Sequence, residues 1–202
     1  MIRPFGEAAL LVDLASASEA QALAAALRRD PPQGVIESVP GLASVLVEID
    51  PLKADLARIS AALERRMLDL DATPPEGRLH TIPVVYDGPD LAEVAALTGL
   101  AASQVVALHA SGELRVLFCG FAPGFAYLGD LPSELRVDRL ATPRTRTPPG
   151  SVAIAGSMTG IYPAALPGGW RVIGRTDASL FDVRRDPPVL LLPGDRVRFE
   201  PA

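Results

Sequence analysis

The chain has 202 residues, 49% of them hydrophobic and 21% charged, with a formal net charge of -5. That length buries one large core or two small ones, and the composition excludes general disorder. The acidic balance also argues against a general nucleic-acid or anionic-membrane binder, which needs clustered positive charge.

In chain order, Ala8 to Leu14 is apolar and strand-like. Ser18 to Arg29 is alanine-rich and helical, with Ser16 or Ser18 as its cap and Pro31 and Pro32 ending it. Strands are expected at Val35 to Val39 and Ser44 to Ile49, turning at Pro40 and Gly41. Asp50 is expected to cap a second helix with Pro51 at its first position, presenting Leu52, Leu56, Ile59 and Leu63 on one face. These elements make a small α+β sandwich. Ala72 to Arg78 (ATPPEGR) is the expected linker, so the domains run 1–78 and 79–202.

The second domain opens with a strand at His80 to Tyr86, then a helix from Asp90 to Leu97 with a capping-box-like Asp90/Glu93 start, then a helix from Ser103 to Ala110. The helix pair looks like a helix-turn-helix, but no lysine or arginine lies between Leu79 and Leu114. A recognition helix without a cation reads neither phosphates nor guanine edges, so the pair is expected to cap a barrel end. Short strands follow at Leu114 to Cys119, Ser151 to Ala155, Trp170 to Ile173, Ser179 to Val183, Val189 to Leu192 and Arg196 to Glu200. Dense Gly and Pro between short strands suggest a closed β-barrel, giving an α+β protein overall.

Several chemistries drop out. Lys53 is the only lysine and no GxxxxGK[ST] surrounds it, which excludes a phosphate-loop lysine. Cys119 is the single cysteine, expected to be a buried inert thiol, and the two histidines, His80 and His109, show no metal-ligand spacing, so no metal site is assigned. GSMTG is no hydrolase elbow, because Ala155 stands where glycine is needed and no histidine lies downstream. MIRPFGEAALLVDL lacks the features of a signal peptide and no apolar run reaches about 18 residues, so a cytoplasmic location is expected.

The candidate site is the stretch Pro143 to Thr176, where arginines, glycines and small hydroxyls crowd between strands. Arg144 and Arg146 lie two apart, so an extended segment projects both from one face, where two guanidinium groups can hold an anion. Arg175 is a third anion contact, with Ser151, Ser157, Thr159 and Tyr162 for polar positioning. Gly168, Gly169 and Trp170, with Phe121, Gly124 and Tyr127 from GFAPGFAYLGDLP, are assigned to the pocket wall. His80 is the acid–base candidate, whereas His109, at a helix C-terminus, reads as structural and dipole-stabilised.

HTIPVVYDGPDLAEVAALTGL, GFAPGFAYLGDLP, TPRTRTPPGSVAIAGSMTGIYP, PGGWRVIGRT and LLPGDRVRF resemble the signatures of the 5-oxoprolinase B-subunit family, also called the KipI or allophanate hydrolase subunit 1 family. The resemblance covers essentially the whole chain, with one departure: DGPDL after Tyr86, where many relatives carry a longer GGEFGPDL. It implies a small α+β domain followed by a cyclophilin-like β-barrel. It further implies a hydrolase acting on 5-oxoproline in a complex with two partners, a KipA-like C subunit and an A subunit. ATP, with Mg, would be shared with a partner, the chain being inactive alone. Arg146 and His80 are the catalytic candidates under that reading. Relatives in the same family inhibit a sporulation histidine kinase or serve allophanate and urea-carboxylase metabolism.

Overall fold

The computed structural model describes residues 1–71 and 77–202 and divides into two compact units, Met1–Glu76 and Gly77–Ala202. Residues 72–76 of the expected linker lie outside the described residues.

The first unit is a four-stranded antiparallel sheet in the order β1-β2-β4-β3, formed by β1 (Ile2–Pro4), β2 (Ala9–Asp13), β3 (Val35–Pro40) and β4 (Ser44–Ile49). Period-two alternation buries Val45, Val47 and Ile49 of β4 against helices α1 (Ala17–Arg29) and α2 (Leu56–Leu68). Ser16 is the cap of α1: its hydroxyl accepts from Glu19 N, while the Glu19 carboxylate accepts from Ala15 N. The second helix starts later than Asp50 suggested. Asp50 instead closes a turn, its carboxylate taking Leu52 N and its carbonyl taking Lys53 N and Ala54 N, and Asp55 becomes the cap. The shift leaves Leu52 and Leu56 exposed and buries Ile59, Ala62 and Leu63.

The second unit is organised by a seven-stranded curled sheet. Its strands are β5 (Leu79–Val84), β6 (Glu113–Cys119), β7 (Ala126–Gly129), β9 (Ser151–Ala155), β10 (Met158–Ile161), β12 (Arg171–Arg175) and β13 (Arg196–Pro201). The order is β12-β9-β10-β7-β6-β13-β5, antiparallel except where β13 runs parallel to β5. The two ends meet through a bridge at Val85 and Arg175, each N–H donating to the other's carbonyl at 2.9 Å. This one bridge pins the two edge strands of the curled sheet together at a single point and covers part of each edge. A separate ribbon pairs β8 (Arg144–Thr147) with β11 (Leu166–Gly168).

The barrel interior holds Ile82, Val84, Val116, Leu128, Ile154, Ile173, Val197 and Phe199. Helices α3 (Leu91–Thr98) and α4 (Ala102–His109) add Val94, Ala95 and Val105 to this core and meet at a bend of 94°. Among the described residues no single helix is long and apolar enough to cross a membrane. The expected strands at Ser179 to Val183 and Val189 to Leu192 reduce to one bridge, Phe181 to Val189, because Pro187 and Pro188 cannot donate to a ladder. Asp90 precedes α3 without capping it, since its carboxylate has other partners.

Candidate functional site

Alternation along β9 presents Val152 and Ile154 to the barrel core and Ala153 and Ala155 to its outside, yet all five residues of the strand are buried. A second cluster on the outer face covers it, comprising Phe125, Tyr162, Trp170 and Val172, with Tyr127, Met158 and Leu166 packed against them. Phe125 is the hub, its ring centroid 5.0 Å from Tyr127, 5.5 Å from Tyr162, 5.8 Å from Trp170 and 5.4 Å from Phe121, all edge-on. Tyr127 also stacks on Phe118 at 4.1 Å and lies 5.7 Å from Trp170.

Two glycines permit this packing. A Cβ on Gly168 would collide with the Tyr162 hydroxyl oxygen, so only glycine lets β11 close over that ring. Gly124 has φ +83°, and a Cβ there would meet Phe181 and Leu180, so its loop lies flush against the 180–181 segment. Phe121, in the same turn, is the one non-glycine with positive φ among the described residues, at +69°, and its ring is exposed. A bulky side chain in the left-handed region costs about 1 kcal/mol or more and marks a position held by its surroundings.

Cations surround the cluster, and most are already committed. Arg144 pairs with the buried carboxylate of Asp90, whose other oxygen accepts from Val172 N at 2.6 Å. This pair crosses 54 positions of sequence, ties the β8 ribbon to the start of α3, and takes Arg144 out of the expected open arginine pair. Its Nη1 is nevertheless buried without a hydrogen-bond partner. Arg171 pairs with Glu93 at 2.7 Å and donates to Asp138 O, and Arg175 pairs with Asp87 at 2.9 Å at an exposed position. Arg139, which sequence reasoning passed over, lies 6.0 Å over the Trp170 ring. Arg146 alone of the three predicted arginines is exposed with no ion pair among the described residues. Burial raises the Tyr162 and Tyr127 phenol pKa values, opposed for Tyr162 mainly by the nearby Thr147 hydroxyl and for Tyr127 by the charge of Arg139.

The remaining predicted residues separate. Gly169 lies beside Pro143 and Arg139, and Ser157 sits in the β9–β10 turn, where its carbonyl accepts from Leu131 N. Ser151 is buried within β9. Thr159 is fully buried on the inner side, donating to Ala153 O at 3.0 Å and therefore accepting from the Nε2–H of His109 at 2.9 Å. The other histidine nitrogen then accepts from the Tyr86 hydroxyl at 2.7 Å, and the ring stacks on Phe199 at 4.5 Å. Burial depresses the His109 pKa to about 3 and raises that of Tyr86. His109 is thus structural as expected, but as a neutral ring rather than a dipole-stabilised cation, because desolvation outweighs a helix terminus. Cys119 is half-buried, its thiol raised to about 11 by burial and by the charge of Asp195, which leaves no thiolate at neutral pH.

His80 is held elsewhere. Its Nε2 donates to Asp195 at 3.1 Å, and Asp195 also accepts from Arg78 N and Leu192 N, pinning the turn before β13. The cavity it lines contains none of the other predicted site residues.

The model for the carboxyltransferase domain, subdomain C and D, matches residues 1–191. The B subunit of 5-oxoprolinase from Escherichia coli O157:H7 is 51% identical over 171 residues, spanning 83% of this chain and 78% of that protein. The Bacillus subtilis 5-oxoprolinase B subunit is 36% identical over 192 residues, spanning 88% and 80%. Among solved structures, TTHA0988 is 38% identical with a TM-score of 0.86, over all of this chain but only 40% of that one. The Kluyveromyces lactis urea carboxylase shares the fold, with a TM-score of 0.80 at 21% identity over all of this chain and 21% of that one.

Proposed function

Because the chain belongs to the 5-oxoprolinase B-subunit family, we propose that it acts as the B subunit of a complex that opens 5-oxoproline to glutamate with ATP hydrolysis, together with A and C subunits. The observation that carries this reading is the 51% identity to the Escherichia coli protein across most of both chains.

In this reading the outer aromatic face is half of a site completed by a partner. Arg146 contributes an exposed guanidinium with no ion pair among the described residues, two positions from Arg144, which Asp90 fixes. The half-buried Phe118–Tyr127 stack provides a flat apolar surface of the kind a nucleotide base covers. The chemistry asks for such groups: transfer of the ATP γ-phosphoryl to the lactam oxygen, with ADP leaving, activates the ring carbon towards water, the C–N bond then breaks to free the amine, and a second water displaces phosphate from the resulting acyl phosphate, while cations stabilise the charge that develops. Among the described residues no three of His, Cys, Asp and Glu come together as a metal site, so the proposed Mg would be held by the nucleotide phosphates and the partner.

The test is 5-oxoproline-dependent ATPase activity reconstituted with the A and C partners. Turnover is expected to vanish when this chain is omitted and to fall about 100-fold or more in Arg146→Ala with the fold intact. Full activity without the chain would remove the reading.

A further inference from the structure

One short loop, Asp87 to Asp90, sorts the predicted arginines. It lies flush on β12: Gly88 N donates to Ile173 O at 3.2 Å and Asp90 N to Val172 O at 3.0 Å, and a Cβ on Gly88 would collide with the backbone of residues 172–174. Asp87 pairs with Arg175 at 2.9 Å. The buried Asp90 carboxylate divides its two oxygens. Oδ2 accepts from Val172 N at 2.6 Å and completes the strand edge, while Oδ1 accepts from Nη2 of Arg144. Covering the edge needs only one neutral acceptor, so the second oxygen and the negative charge serve Arg144. A largely buried pair of this kind keeps one geometry, because parting leaves a charge without water or partner.

The β8–β11 ribbon is a two-stranded sheet of its own, outside the seven-stranded one, and Asp90 is its charged tie to β12 and the start of α3. Arg146 stands two residues beyond that tie on β8. Residues two apart in an extended strand leave the same face, so holding Arg144 sets the direction in which Arg146 leaves the ribbon. We propose that Asp90 is a positioning residue of the outer-face site: it touches no substrate, but by holding Arg144 it aims the Arg146 guanidinium at the anion bound there. That anion is the phosphoryl group in transfer, an identity that rests on the proposed function. A displacement of about 1 Å in such a group can cost about 100-fold in rate.

Asp90→Asn is the informative change, because the amide oxygen still accepts from Val172 N while its NH2 offers Arg144 no acceptor. In the complex reconstituted with the A and C subunits, Asp90→Asn is expected to lower kcat/KM about tenfold or more, but less than about twofold when Arg146 is already alanine. A residue that only holds the fold costs the same factor in both backgrounds. Hydrogen exchange of the full chain needs no turnover: amides of 144–147 and 166–168 should exchange at least about fivefold faster in Asp90→Asn, with β9 and β10 unchanged. Because that variant strands the Arg144 cation, Asp90→Asn with Arg144→Met is the second one, expected to restore the native urea midpoint while turnover stays low. Equal losses in both Arg146 backgrounds, native exchange in the ribbon, or native turnover in the double variant overturns the proposal. Faster ribbon exchange in Asp90→Asn, with no 5-oxoproline-dependent ATPase from the native complex, supports Asp90 as the anchor of the ribbon and removes the 5-oxoprolinase reading. Native turnover together with native ribbon exchange in Asp90→Asn keeps that reading and overturns the proposal.

Discussion

The inside of the barrel around His109 and its outer face around Trp170 use similar materials to opposite ends. Inside, Tyr86, His109, Thr159 and the Ala153 carbonyl form a chain in which each hydroxyl and ring nitrogen has a partner. Outside, aromatic rings pack as closely, but among the described residues the exposed Arg146 side chain has no ion pair and the buried Nη1 of Arg144 has no hydrogen-bond partner. Buried polar groups are costly unless paired, so a closed network reads as structure and an open one as a place where something binds. Residue type does not separate the two, since a threonine and a tyrosine occur in both.

Breaking the closed network is expected to cost most. His109→Ala removes the stack on Phe199 and strips partners from Tyr86 and Thr159, so a loss of about 3–5 kcal/mol is expected from urea unfolding. A loss under about 1 kcal/mol would show that the network is not what holds the core.

The same ring sharpens the comparison through pH. His109 has its pKa lowered from 6.5 to about 3 in the folded chain, so below 6.5 the unfolded chain binds a proton that the folded chain does not. Stability is therefore full above about pH 6.5 and falls with acidification towards pH 3, by about 1.4 kcal/mol per pH unit from this group. Urea midpoints from pH 7 to pH 4.5 measure the slope, and it should flatten in His109→Phe relative to the native chain.

The smallest effect is expected on the open side. Arg146→Ala should change unfolding free energy by less than about 0.5 kcal/mol, because its exposed side chain has no ion pair among the described residues. Loss of more than about 1 kcal/mol in the same urea assay would place Arg146 in the structure instead of at a site.

Much of this architecture was legible locally. Alternation in Ser44–Ile49, the Ser16 cap of α1 and the dense Gly and Pro after Leu114 depend on neighbours a few residues away, and the structure places β4, α1 and a barrel there. The beginning of α2 was misread because two aspartates five apart can both cap, and only packing decides which. The strand expected at Ser179–Val183 failed for a similar reason, since an apolar run forms a ladder only if a partner can donate.

What the sequence determined by itself was therefore the class of elements, the barrel, and the family, through long ordered motifs. Only the tertiary structure decided which charged and polar residues were spent. Asp90 and Arg144 lie 54 positions apart, and His80 and Asp195 lie 115 apart. An ion pair leaves no periodic trace in the chain, because a charge chooses its partner by distance in space and by the water excluded around it. Arg146 emerged as the open cation only after its neighbour two residues away had been claimed.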